Sequence, residues 1–111
     1  MTEYLIIFRE PDGRTEVHPE DEYKVHQQHW KIWIDNLLKE NRLTRGNALS
    51  LNGKVIKEGG EEVIDGPFRI GLEIIGGYMI IKAKDLDEAV EITKSCPVFE
   101  TGGYAEVRET M

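Results

Sequence analysis

Five apolar residues in succession, Tyr4 to Phe8, place hydrophobic side chains on both alternating faces of an extended segment, and Pro11-Asp12-Gly13 carries the turn chemistry that ends it. A strand apolar on both faces belongs in the middle of a sheet. The spacing then becomes helical over 19–41, where Tyr23, His26, Trp30, Trp33, Ile34 and Leu37 share one stripe at about 100° per residue, with His29 on its margin. Pro19 suits the first helical position, Glu20, Asp21 and Glu22 complement the positive end of the helix dipole, and Lys39 and Arg42 complement the other.

From Leu43 to Ile64 the apolar runs are short, and Asn52-Gly53 between them predicts a hairpin. Tyr78-Met79-Ile80-Ile81 reads as a second central strand. Asp85 is placed to cap a helix over 86–96 with Glu88 at the reciprocal position; Leu86, Ala89, Val90, Thr93 and Cys96 form its inner stripe, and Pro97 stops it. Ala105 and Val107 alternate with Glu106 and Arg108 in a half-buried last strand. The order predicts one α+β domain over 1–111, a ferredoxin-like split βαβ with an antiparallel sheet. Two helices cover one face of such a sheet. The other face is apolar too, and a second copy covering it would make a homodimer.

Composition narrows the partners. With 21 acidic residues against 14 Lys and Arg, the net charge of −7 repels phosphate backbones and anionic membranes, so neither nucleic acid nor membrane is an expected partner. The lone cysteine, Cys96, cannot form an internal disulfide, and the opening residues carry no basic, apolar leader; a cytoplasmic protein is expected. Neither a dinucleotide glycine fingerprint nor a P-loop occurs, so no cofactor is expected.

Asp65-Gly66-Pro67-Phe68 followed by Glu73, then Ile75-Gly76-Gly77-Tyr78, then Asp85 to Ile92 and Cys96-Pro97, resembles the YCII-related family, in its branch named after the DGPF tetrapeptide. The resemblance extends to the Trp30 and Trp33 helix, to Gly53-Lys54-Val55 and to Gly102-Gly103 with Glu106-Val107-Arg108. It implies a ferredoxin-like fold dimerising sheet to sheet into a dimeric α+β barrel, with a cleft suited to cofactor-free acid–base chemistry. Ile70 and Leu72 depart from the family pattern, which commonly has an acid and a lysine there.

Candidate chemistry follows from placement. His26 within the apolar stripe is partly desolvated, which favours the neutral imidazole a general base needs, and Asp65 at a motif turn could orient it or accept a proton. These two are the expected catalytic pair, in a cleft between the long helix and the sheet. His29 and Glu73 would line the rim, Trp30 or Trp33 the apolar wall, and Tyr78 the sheet side. Each has a plainer reading: a satisfied core histidine, a turn-fixing aspartate, a solvated glutamate, core aromatics, a strand or interface tyrosine. His26 and His29 with a carboxylate could hold zinc, but the i,i+3 spacing and the missing cysteine pair argue against a metal. The chain is therefore read as a small-molecule acid–base enzyme of isomerase or lyase type, with a non-catalytic dimeric ligand-binding or protein-interaction module as the alternative.

Overall fold

The computed structural model describes residues 1–12 and 20–111. Gly13 and Pro19, assigned above to a turn and a helix start, lie outside the described residues. Six strands and two helices follow in the order β1 (Thr2–Pro11), α1 (Glu20–Lys39), β2 (Leu43–Ala48), β3 (Lys54–Lys57), β4 (Glu62–Asp65), β5 (Glu73–Ala83), α2 (Leu86–Lys94) and β6 (Tyr104–Glu109). One sheet runs β2-β5-β1-β6 with every pairing antiparallel, and β3 and β4 form a separate two-stranded sheet. This is the expected ferredoxin-like α+β arrangement, with a hairpin inserted between the second and third strands of the main sheet. The two strands apolar on both faces, β1 and β5, are its central pair.

Period two decides which side chains meet the helices. Tyr4, Ile6 and Phe8 of β1 pair with Ile81, Met79 and Gly77 of β5 and are buried beneath Trp33 and Leu37 of α1, Ala89 of α2 and Val98. Each large aliphatic side chain removed from water contributes ~1.5–3 kcal/mol. Leu5 and Ile7 pair with Ile80 and Tyr78 on the opposite face and remain only half-buried. Among the described residues no third layer covers them.

Several local expectations are corrected. The hairpin turns at Glu58–Glu61 rather than at Asn52-Gly53, because Glu58, Gly59 and Gly60 all take positive φ (53°, 63° and 97°) and so reverse the chain tightly. Asn52-Gly53 instead precedes β3, where the Gly53 carbonyl accepts from Gly66 N–H at 2.8 Å and closes the base of the hairpin. Tyr23 on α1 is exposed, and so are Leu86 and Val90 on α2, because α2 turns Ala89, Ile92, Thr93 and the following Cys96 inward. Asp85 does cap α2, accepting from Glu88 N–H at 2.8 Å, but the Glu88 carboxylate reaches one residue further back, to Lys84 N–H. It also pairs with Arg42, whose guanidinium holds the Glu88 carboxyl below the usual range and ties the end of α1 to α2.

Among the described residues no helix is long and apolar enough to cross a membrane.

Candidate functional site

A cavity of about 820 Å3 opens between α1 and the β1, β5 and β2 side of the sheet. Its helix wall is Tyr23, His26, Trp30 and Ile34, its floor Phe8, Gly77 and Met79, and its far rim Gly46 to Ala48 of β2. A concave, mostly apolar volume with a few polar groups is the usual form of a small-ligand site.

With Asp35 on the α1 side, Glu10 is the sheet's carboxylate in this cavity. It falls on the inward register of β1, two residues beyond Phe8, and there it is half-buried. Burial pushes its carboxyl above the usual carboxylate range, and His26 nearby pulls part of that back. Room for it comes from Gly76, the extra residue of a bulge opposite Phe8 and Arg9; a Cβ at Gly76 would lie 2.0 Å from Glu10 Oε1. The glycine pair therefore serves close approach, as its sequence suggested: Gly77 faces the Asn47 carbonyl, 2.9 Å from where a Cβ would stand.

His26 is fully engaged. Its Nδ1–H donates to Glu100 at 3.0 Å, and its Nε2 accepts from Trp30 Nε1–H at 3.0 Å. Those partners set the tautomer, leaving the lone pair on Nε2 under the indole N–H. His29 donates from Nδ1 to the same carboxylate, at 2.8 Å to Oε2. Hydrogen bonds from His26 and then His29 hold the Glu100 carboxyl below its ordinary range. The Trp30 ring stands edge-on to Phe8 and Trp33, with centroids 5.1 and 5.7 Å away.

The other expected site residues are dispersed. Asp65 ends β4, exposed and ion-paired with Lys54 across the hairpin, and is outside the lining of the cavity, so within one chain it does not converge with His26. The cause is the hairpin, which carries the motif turn away from the sheet. Glu73 is likewise not at the cavity rim: it begins β5 opposite Pro11, accepts from Tyr104 O–H at 2.7 Å and lies 4.0 Å from Arg9. That contact raises the Tyr104 phenol. Trp33 is core, donating to Ser95 Oγ at 3.1 Å, and His29 faces Glu100 rather than the cavity. Tyr78 borders the cavity through β5, while its register puts it beside Ile7 on the uncovered face. Cys96 is buried, its thiol pushed up to about 12, which makes a poor nucleophile.

Two residues were missed from sequence. Glu10 carried a signal, a charge in the inward register of a central strand. Glu100 carried none, because it sits in a short 3-10 turn, Pro97–Thr101, whose position depends on tertiary packing. Among the described residues no cluster of three His, Cys, Asp or Glu side chains is placed to hold a metal ion.

A 5-chloro-2-hydroxyhydroquinone dehydrochlorinase from Burkholderia phenoliruptrix AC1100, solved in complex with 2,5-dihydroxybenzoquinone, superposes with a TM-score of 0.55 at 16% identity, over 98% of this chain and 93% of that one. That likeness is one of fold. No curated protein matches the chain in sequence. The YCII-related domain pattern matches residues 2–109, and with nearly the whole length matched the chain belongs to the YCII-related family.

Proposed function

We propose that this chain is a cofactor-free acid–base enzyme, of isomerase or lyase type, acting on a small, flat, cyclic metabolite in the cavity under α1. The observation that carries the reading is the half-buried Glu10 carboxyl, raised by desolvation, sharing the cavity with His26. A carboxyl with a raised pKa is closer to the protonation balance that proton transfer near neutral pH requires. Glu10 thus takes the part first given to Asp65. Glu100 orients His26 so that Nε2 bears the lone pair, and a bound substrate would have to draw the Trp30 N–H away before that nitrogen could take a proton. One group removes a proton from the substrate and the other returns it, or assists a leaving group. The elimination named for the fold neighbour, and its flat quinone ligand, support the lyase class and the ring-shaped substrate.

Full engagement of both His26 nitrogens favours a second reading, a dimeric module that binds such a ligand without turning it over. A thermal-shift screen of hydroxylated and quinonoid rings, followed by absorbance assays of any binder, separates the two. Turnover that falls ~100-fold or more in His26→Ala and in Glu10→Gln, with the fold retained, supports the enzyme. Binding without conversion supports the module. On either reading we propose a homodimer formed through the uncovered sheet face, where Leu5, Ile7, Tyr78 and Ile80 lie. Light scattering after size exclusion tests it, and a clean monomer mass at micromolar concentration would refute it.

A further inference from the structure

Among the described residues the β3–β4 hairpin packs on no element except the turn joining its two strands. A lone two-stranded hairpin is marginally stable in water. This one and the loop after it nevertheless expose Ile56, Val63, Phe68, Ile70 and Leu72, each more than half accessible. Register sets Ile56 directly beside Val63 on one face, next to the Lys54–Asp65 ion pair. The radius of gyration is 15.5 Å, against ~13 Å for a compact chain of this length, and the molecule is only 18 Å thick. An arm stands off a thin two-layer body.

We infer that the arm of one copy lies across the uncovered sheet face of a second copy, beside its β2, and receives the other copy's arm in return. This rests on the sheet-face dimer proposed above and names a second contact within it. Area argues for that contact. Leu5, Ile7, Tyr78 and Ile80 are each already half-buried, so the sheet face alone offers a limited apolar patch, while a stable pair needs ~800 Å2 from each partner. The arm supplies large, freely exposed apolar side chains.

Charge argues for the same occupant and the same place. Residues 54–65 carry two lysines and four acids, a net of −2. Of those acids, Glu58, Glu61 and Glu62 at the tip enter none of the described ion pairs. Arg45 on β2 pairs with Ile80, so it belongs to the uncovered face, and it too is in none of the described ion pairs. A two-fold axis lets each acidic arm tip meet the partner's cationic strand, and both apolar surfaces close together.

Sedimentation equilibrium on five chains tests the inference: wild type, Ile56→Glu with Val63→Glu, Arg45→Glu, Arg45→Glu with Glu61→Arg and Glu62→Arg, and Ile7→Glu. Expected are a dimeric wild type, an arm variant weakened at least ~30-fold with an unchanged circular dichroism spectrum, a weakened Arg45→Glu, and recovery in the charge-swapped chain. An arm variant that dimerises like wild type, while Ile7→Glu gives monomers, overturns the arm contact and leaves the sheet-face dimer standing. A monomeric wild type overturns both. An arm variant that unfolds overturns the inference as well, since it would mean that the arm packs within its own chain.

Discussion

Glu10 and Gly76 are a matched pair, and each can be tested through the other. A carboxyl with a raised pKa in the folded state makes folding less favourable once it ionises, so its cost is absent below the unfolded carboxylate range, grows as pH rises from there to the folded value, and is complete above it. Glu10→Gln should therefore melt higher than wild type at pH 7, with the difference shrinking as the pH falls toward the unfolded carboxylate range and gone below about 4. Equal melting differences at both pH values would refute the assignment. Gly76→Ala should instead push the Glu10 carboxyl, a movable side-chain end, out of its place over the bulge. Its signature is loss of ligand binding with little loss of stability, read by calorimetry on the same samples. The apolar alternation that located β1 in the sequence also located Glu10, had the period been followed past Phe8. Nothing comparable pointed to Glu100, whose contact with His26 spans 74 residues.

At the scale of elements, long periodic segments were legible and the short ones were not. β1, α1, β5 and α2 each fill an amphipathic or doubly apolar pattern that only one kind of structure satisfies. The hairpin was found, but its turn was misplaced, because Asn-Gly competed with a Glu-Gly-Gly segment that can take three successive positive φ values. Within one chain that hairpin also holds Asp65 outside the cavity lining, paired with Lys54. Strand packing at the second glycine of β5 gives a sharper expectation. Gly77→Ala would press a methyl against the Asn47 carbonyl and the Ala48 backbone, which cannot rotate away. A loss of ~1–3 kcal/mol in urea unfolding is expected, larger than for Gly76→Ala. The reverse ranking would mean that β2 is free to shift outward.

For the whole molecule, the acid excess and the uncovered sheet face each set an expectation. Net charge of −7 with no dense basic run predicts no measurable DNA affinity at physiological salt, and salt-dependent retention on a DNA column would contradict it. The sheet face predicts something stronger. If Leu5, Ile7, Tyr78 and Ile80 lie against a second copy, part of the apolar burial that opposes chain entropy is made only on association, and unfolding is linked to dissociation. The midpoint of thermal unfolding must then rise with protein concentration, by mass action, over the range from about 1 to 100 μM. Ile7→Glu places a charge in the middle of that face, opposite Tyr78 and away from the helix-side core, so it should abolish the concentration dependence while a folded monomer remains. A midpoint that is constant across that range for the wild type would mean that the half-buried central strands are stable as they stand, with water as their third layer.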